Sequence, residues 1–406
     1  MWMLTSALAG GVQVDAGLDR EVLPTFATEE RYVVVELQAP ATVERQNVHL
    51  SLVMDSSDSM YVAGKLDYAR NAAAGLAAQL GAGDTLSIVT FDTDTEIILR
   101  QGPITNPARV SYLLDMLTTG GGTNLFGGMT VGLEELKAAA GGVRRMVVLS
   151  DGQATVGPSD VTSLAKLATS ARADRISVST LGLGLEFDRN TLMAIADAGG
   201  GVYGYVNKPD GVADLFSREL EKASHLVAAG VQVNFEPAPG VELLQAFGYE
   251  AWDGKSTGKG WEALVGDVHA GESRKVVLKV RVDPSATEVG TVVVTGAGQD
   301  RQIPIGLQRS EDDTVIRASV QKPRASKVGQ VVAGSGMSNS VGYYDKGLQG
   351  QGSEELTNTV DELEALEEEL GVDFADEKLV IEEQKQQAPT REAADDFSFR
   401  AQEYLE

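Results

Sequence analysis

Cysteine is missing from all 406 residues of this chain. Disulfide bonds, zinc–thiolate sites and cysteine nucleophiles are therefore excluded. The lack of cysteine fits a reducing compartment. Proline is also scarce, with 12 residues against 45 glycines, a ratio that favours tight turns and close backbone approach.

Long apolar segments are also missing. No run approaches the roughly 18 residues expected of a transmembrane helix. The N-terminal stretch Met1–Ala9 ends in a small-x-small triplet, as signal peptides do. However, no Lys or Arg precedes the triplet, and the apolar part is shorter than the roughly 7–15 residues of a signal-peptide core. We therefore expect a cytoplasmic protein that is not inserted into a membrane.

Basic residues are in a clear minority. The 34 Lys and Arg against 59 Asp and Glu give a formal net charge of −25. Such a surface repels phosphate backbones and anionic lipids, so binding to nucleic acid or to a membrane surface is not expected. The same surface attracts cations and basic partners.

Hydrophobic residues, in contrast, are present in the ordinary proportion of a globular protein, 43% of the chain. In residues 46–228, buried-strand patterns alternate with helical patterns. This alternation predicts a doubly wound α/β fold, with a mostly parallel sheet covered by helices on both faces. In residues 10–40 and 231–308 the period is two, which predicts an antiparallel β-sandwich with the α/β core inserted into it.

We therefore expect four regions: residues 1–45 and 229–309 as the two parts of the β-sandwich, 46–228 as the α/β domain, and 310–406 as a helical, acidic and partly flexible region. Within the α/β domain, the last helix is predicted over Val212–Ala228. In the C-terminal region, Gly334-Ser-Gly336 is expected to interrupt helix formation. An acidic helix beginning at Ser353 has leucines near heptad spacing, and we expect it to pack on its own protein. The last residues are expected to be a solvated tail, with a docking motif for a partner as the alternative.

The pattern Asp55-x-Ser57-x-Ser59 follows the apolar run Val48–Met54. This run is typical of a strand buried on both faces of a parallel sheet. Ligands of open α/β sheets bind at the carboxyl ends of such strands. One carboxylate and two hydroxyls suit a hard divalent cation such as Mg²⁺. Alternatively, Asp58 or Ser59 is simply a helix N-cap.

Two further polar positions fall at the same predicted edge of the sheet. Thr123 lies in a glycine-rich turn, and Asp151 directly follows another buried-strand pattern. Each also has a simpler interpretation: Thr123 or Asn124 as an N-cap, and Asp151-Gly152 as a plain turn. Together with the first loop, however, they supply two carboxylates and three hydroxyls. With waters, these would provide the six oxygens that Mg²⁺ requires.

This combined set resembles the metal-ion-dependent adhesion site of von Willebrand factor type A domains. The resemblance covers roughly residues 46–228 and matches all five metal-site positions in order: Asp55, Ser57, Ser59, Thr123 and Asp151. The β-segments on both sides are similar to those of larger bacterial proteins of this family and to the layout of inter-alpha-trypsin inhibitor heavy chains.

The resemblance implies a cation, Mg²⁺ or else Mn²⁺ or Ca²⁺, bound directly by Ser57 and Ser59. Thr123 would bind it directly or through water, and Asp55 and Asp151 mainly through waters. A carboxylate of a protein partner would complete the coordination. Asp58 departs from the family pattern, which usually has glycine there.

The leading hypothesis is therefore a non-catalytic, cation-dependent protein-binding module. A second hypothesis is a Mg²⁺-dependent phosphotransfer enzyme similar to haloacid dehalogenases, with Asp55 as the nucleophile. Those enzymes have a second Asp where this chain has Ser57, and they use a site lysine, which the sequence does not supply near residues 120 or 151. A third possibility is a structural scaffold with a silent site.

Overall fold

The computed structural model describes residues 6–7, 11–139, 141–151, 153–183, 188–206, 212–247, 260–296, 299–345 and 349–387. The chain divides into two compact units. One unit is the continuous segment Thr42–Gly230. The other combines Met1–Ala41 with Val231–Glu406. The continuous unit thus lies, in sequence, between the two parts of the other.

The first four strands are β1 (Ser6–Ala7), β2 (Gln13–Leu18), β3 (Val22–Pro24) and β4 (Glu29–Gln38). The continuous unit then contains β5 (Val48–Asp55), a 3₁₀ segment (Asp58–Gly64), α1 (Lys65–Gln79), β6 (Thr85–Phe91), β7 (Thr95–Gly102), α2 (Pro107–Asp115), α3 (Leu125–Lys137), β8 (Val143–Ser150), α4 (Val161–Ala173), β9 (Ile176–Leu183), α5 (Arg189–Gly199), β10 (Gly200–Val206) and α6 (Val212–Ser224). The strands that follow are β11 (Leu226–Pro237), β12 (Val241–Phe247), β13 (Trp261–His269), β14 (Ser273–Val282), β15 (Glu288–Gly296), β16 (Gln299–Gly306) and β17 (Gln308–Ser310). The last helices are α7 (Asp313–Ala318), α8 (Lys322–Asp345), α9 (Gln349–Leu370) and α10 (Ala375–Gln387).

The continuous unit is built on a six-stranded sheet in the order β10-β9-β8-β5-β6-β7. All neighbours are parallel except β7, which forms an antiparallel hairpin with β6. Helix α1 contacts both α2 and α6 on one face, and α3, α4 and α5 form a row on the other. The predicted doubly wound α/β fold is confirmed.

Strand β5 is the centre of this sheet. It pairs with both β6 and β8, and all eight of its residues are buried. Its apolar run therefore packs against helices on both faces, as a central parallel strand must. The carboxyl end of β5 lies between those of its two neighbours, which places its last residue, Asp55, in the middle of the sheet edge.

The second unit contains two larger antiparallel sheets, the first of which combines strands from both chain segments. One has the order β1-β2-β4-β14-β12, and in it β4 pairs with β14 over ten residues. Another has the order β13-β11-β15-β16, with β15 antiparallel to both β11 and β16. The flanking antiparallel β-structure expected from the two-residue period is therefore present.

Helices α8, α9 and α10 share a core with the strands of this unit. Leu356 and Leu363 of α9 and Phe374 after it are fully buried there, beside Val328 of α8 and Val277 of β14. The acidic helix thus buries its leucines within its own unit, but it begins at Gln349 and not at Ser353 as predicted.

The prediction that Gly334-Ser-Gly336 interrupts the helix was wrong, because α8 continues to Asp345. Gly336 instead allows close packing. A β-carbon placed there would lie 2.0 Å from Thr359 Oγ1 on α9. Glycine tolerates this contact because it has no side chain.

The last helix of the α/β unit ends earlier than predicted, at Ser224 instead of Ala228. Residues from Leu226 onward show alternating burial and belong to β11. The two-residue period therefore takes over before the helical pattern ends. Most of the N-terminal stretch 1–9 and the predicted tail after residue 387 lie outside the described residues. Within the described part of the chain, no helix has the length and apolar character needed to cross a bilayer.

Candidate metal site

The first loop of the site follows the central strand. The main-chain amide of Ser57 donates a hydrogen bond to Asp55 Oδ1 over 2.8 Å. The 3₁₀ segment comes next, and α1 has Gly64 at its N-cap position without any capping side chain. Asp58 and Ser59 therefore do not cap α1, and the interpretation of this loop as a simple helix cap is wrong.

Strand β8 places two further polar residues beside Asp55. β5 and β8 run parallel with Met54 opposite Leu149, so their carboxyl ends lie side by side. The hydroxyl of Ser150 donates to Asp55 Oδ2 over 2.6 Å. Asp151 follows directly and is as deeply buried as Asp55, with 1% and 0% of their surfaces exposed. The sheet register thus positions both carboxylates at one edge.

The two serines of the first loop connect these carboxylates. Ser57 Oγ and Ser59 Oγ share a hydrogen bond of 3.1 Å. Ser59 Oγ donates to Asp151 Oδ1 over 2.7 Å. Four of the five residues expected from the sequence therefore form one hydrogen-bonded cluster.

The fifth residue, Thr123, lies just before α3. The N-cap of α3 is Asn124, whose side chain accepts a hydrogen bond from the amide of Gly127. Thr123 is therefore not the cap of α3. It is buried, with 5% of its surface exposed, and no described residue forms a hydrogen bond with its hydroxyl. The hydroxyl is not among the buried atoms that lack a partner, so it is accessible and suited to bind a ligand.

Backbone hydrogen bonds connect the Thr123 loop to the other two loops. The amide of Gly120 donates to the carbonyl of Ser56 over 3.0 Å, and the carbonyl of Gly121 accepts from Asp58. On the other side, the amide of Thr123 donates to Thr155 Oγ1 over 2.9 Å, beyond the end of β8. The three loops are thus joined at the edge of the sheet.

The two buried carboxylates place negative charge at this edge of the sheet. Burial raises the pKa of Asp55 to about 6; hydrogen bonds from Ser150 and Ser57 act in the opposite direction, and the charge of Asp151 adds to the rise. Desolvation of a carboxylate is costly unless a positive charge or several donors compensate for it. The site therefore favours a cation.

One positive charge at this site comes from a residue that the sequence did not predict. Lys65, the first residue of α1, places its Nζ 2.5 Å from Asp151 Oδ2. Lys65 lies 86 positions from Asp151 in sequence, so the absence of lysines near residues 120 and 151 did not indicate that a lysine reaches the site. The one indication in the sequence that Lys65 lies near the site is its position six residues after Ser59.

The donor set fits a hard divalent cation. It consists of two carboxylates and three hydroxyls, with no thiolate. Mg²⁺ prefers such oxygen ligands and usually retains several waters, which suits a site with only two carboxylates. The hydroxyls of Thr123 and of the two serines are suitable ligands.

Sequence comparison matches residues 49–218 to the family model of the von Willebrand factor type A domain. An uncharacterised protein of Synechocystis sp. is 27% identical over 300 residues, which cover 71% of this chain and 69% of that protein. The inter-alpha-trypsin inhibitor heavy chain H1 of Sus scrofa is 26% identical over 198 residues, 46% of this chain. That alignment spans only 22% of the heavy chain.

Structural comparison finds similar folds over nearly the whole chain. A von Willebrand factor type A protein from Catenulispora acidiphila has a TM-score of 0.68 at 16% identity, covering 99% of this chain and 98% of that one. The ArnB paralog VWA2 from Sulfolobus acidocaldarius has a TM-score of 0.64 at 20% identity, covering 97% and 98%. These likenesses extend to the flanking sheets and helices, and they show the fold.

Proposed function

Since residues 49–218 form a von Willebrand factor type A domain, we propose that this chain is a non-catalytic protein-binding module that depends on a divalent cation. Domains of this family generally mediate protein–protein interaction and adhesion. The observation that carries the proposal is the cluster in which hydrogen bonds join the buried residues Asp55, Ser57 and Asp151 to the exposed Ser59.

In this proposal, Ser57 and Ser59 would hold the cation directly through their hydroxyls, and Thr123 would hold it directly or through water. Asp55 and Asp151 act mainly through waters and supply the negative charge. The cation, Mg²⁺ or else Mn²⁺ or Ca²⁺, would supply the positive charge that binds an Asp or Glu carboxylate of the partner. The protein's own residues orient these groups, because the sheet register and the serine hydrogen bonds fix them.

The surface beside the cluster supports the binding of a protein. Tyr61 and Val62 follow Ser59 within two and three positions, and 79% and 60% of their surfaces are exposed. Large exposed apolar side chains next to a polar site are typical of an interaction surface. We therefore place the partner over the 3₁₀ segment as well as over the cation.

The arrangement of Asp55 argues against the phosphotransfer hypothesis. Its carboxylate is fully buried, and both of its oxygens accept hydrogen bonds, from Ser57 and Ser150. A nucleophile must approach the phosphorus directly, which this environment prevents. Proteins with this domain are mostly non-enzymatic.

The cytoplasmic location stays a prediction from the sequence.

Calorimetric titration with Mg²⁺ tests the cation site. We expect Ser57→Ala and Ser59→Ala each to weaken binding by about tenfold or more, which corresponds to roughly 1.4 kcal/mol, and Asp151→Ala to abolish it. Ser56→Ala is the matched control, because Ser56 lies in the same loop but donates its hydroxyl to the carbonyl of Phe91. It should change stability and leave the affinity for Mg²⁺ unchanged.

Affinity capture from the source cell, with Mg²⁺ in one sample and EDTA in the other, tests protein binding. Proteins retained only with Mg²⁺, and lost with Asp151→Ala, are the expected partners. Tyr61→Ala should reduce their capture without changing the affinity for Mg²⁺. Equal capture with Mg²⁺ and with EDTA would contradict the proposal.

A further inference from the structure

Lys65 forms a close ion pair inside the candidate metal site. Its Nζ lies 2.5 Å from Asp151 Oδ2, and the side chains of Lys65 and Asp151 are 15% and 0% exposed. The other oxygen of the same carboxylate accepts from Ser59. Lys65 thus binds a residue that the proposed function assigns to the cation.

The position of Lys65 is not explained by the helix that carries it. It is the first residue of α1, where the helix dipole disfavours a positive charge. Asp67 in the same turn pairs with Arg70 instead. Among the described residues, Asp151 is the one ion-pair partner of Lys65. The interaction with Asp151 is therefore the reason that the structure gives for a lysine at this position.

The backbone before Lys65 turns sharply towards the site. Ala63 and Gly64 both have positive φ, 56° and 67°. For alanine this conformation is strained, and a well-packed native structure has to compensate for the strain. The turn starts α1 beside the loop of Ser57 and Ser59, within reach of Asp151.

We propose that Lys65 is an internal counter-cation that competes with the divalent cation for Asp151; this inference rests on the proposed function. Without the divalent ion, the ammonium compensates for part of the buried negative charge. When the divalent ion binds, repulsion between like charges displaces the ammonium towards solvent. The partial exposure of the side chain and its flexible four-carbon stem permit this movement.

This role of Lys65 determines the cation concentration at which the site is occupied. A lysine that stabilises the cation-free state lowers the apparent affinity, because binding must first break an ion pair. It also keeps the cation-free domain folded. The ion pair of Lys65 thus raises the cation concentration at which the site is occupied. Because partner binding requires the bound cation, it requires the same higher concentration.

Titration with Mg²⁺ and thermal unfolding in EDTA, both on the full chain, test the inference. We expect Lys65→Met to bind Mg²⁺ about tenfold more tightly than the wild type and to unfold at a lower temperature in EDTA. Lys65→Gln, which can still donate a hydrogen bond to Asp151, should also bind Mg²⁺ more tightly. Lys65→Arg retains the charge and should show no gain in affinity.

Lys137→Met is the matched control. Lys137 also pairs with an aspartate of the same domain, Asp174, over 3.0 Å, but both side chains are about half exposed. This variant should bind Mg²⁺ like the wild type. If the wild type binds Mg²⁺ and both neutral Lys65 variants bind equally or more weakly, the competition is refuted while the cation site stands. If no variant binds a cation, the proposed function fails, and the inference fails with it.

Discussion

Arg145 Nη1 lies 3.1 Å from Glu219 Oε2, and this ion pair joins β8 to α6 inside the α/β unit. The side chain of Arg145 is fully buried, and that of Glu219 is 7% exposed. Arg145 lies on the strand that ends next to Asp151, six residues further on. The pair therefore fixes α6 against the strand that supplies one site carboxylate.

Arg145→Met should destabilise the protein by about 3–5 kcal/mol, because it leaves the buried Glu219 carboxylate without its charged partner. Urea unfolding of the variant measures this loss. The double variant Arg145→Met/Glu219→Leu should recover most of it, since no unpaired charge remains. If the two single losses simply add in the double variant, the ion pair is not what couples these residues.

Asp58→Gly should lower the affinity for Mg²⁺ by less than about tenfold. At roughly 7 Å in water, a carboxylate attracts a divalent ion by on the order of 1 kcal/mol. Glycine brings no compensating relief of strain: Ala63 and Arg175 are the two non-glycine residues with positive φ in the described parts of the chain, so Asp58 is unstrained.

Calorimetric titration at low and high salt checks this prediction. The loss of affinity should shrink at high salt, because ions screen an exposed charge. Asp58→Asn is the control that removes only the charge, and it should show a similar loss. Unchanged or improved affinity of both variants at low salt would show that Asp58 does not attract the cation.

Glu272 lies in the unit that combines Met1–Ala41 with Val231–Glu406, and it makes the stability of that unit depend on pH. Burial alone would raise its pKa, but the hydrogen bond from His269, 3.0 Å away, and the charge of Arg274 hold the pKa of Glu272 below its ordinary value of 4.5. The ionised form is therefore the stable one in the folded protein. Its contribution to stability is complete above the unfolded pKa and is lost as pH falls through the folded pKa.

Glu272→Gln should therefore lower the free energy of unfolding by about 1–3 kcal/mol at pH 7. The difference in unfolding free energy between the variant and the wild type should become smaller once pH falls below about 4.5, where the unfolded glutamate takes up protons. Urea unfolding of both proteins at a series of pH values measures this difference in free energy. A difference that is constant from pH 7 to pH 3 would exclude the ionisation of Glu272 as the cause.

Gly336→Ala should destabilise the protein by about 1–3 kcal/mol, the usual cost of overpacking a core. The added methyl group would overlap the buried side chain of Thr359 on α9. Gly75 offers the matched control, since it lies within α1, and a β-carbon there meets no atom within 4 Å. Gly75→Ala should stabilise by roughly 0.4–1 kcal/mol. Thermal unfolding of both variants gives the comparison, and equal effects would refute the role of Gly336 in helix packing.

Local sequence patterns determined the elements of the α/β unit. The apolar run of β5 and the alternation of strands and helices predicted the fold, because hydrophobic periodicity reflects which faces are buried. The end of the last helix was predicted wrongly: this helix ends at Ser224, since the competing two-residue period of β11 begins at Leu226. Gly336 does not interrupt α8, because it lies in a close contact with Thr359 of a different helix, and the local sequence carries no sign of that contact.

The sequence by itself determined that Asp55, Ser57, Ser59, Thr123 and Asp151 are the candidate ligands, because each stands in a polar loop next to a recognisable strand or helix. Only the tertiary structure decided how they are connected. The parallel register of β5 and β8 brings Ser150 to Asp55, and the turn at Ala63 and Gly64 brings Lys65 to Asp151. Such contacts link residues 86 or more positions apart, and local periodicity carries no information about them.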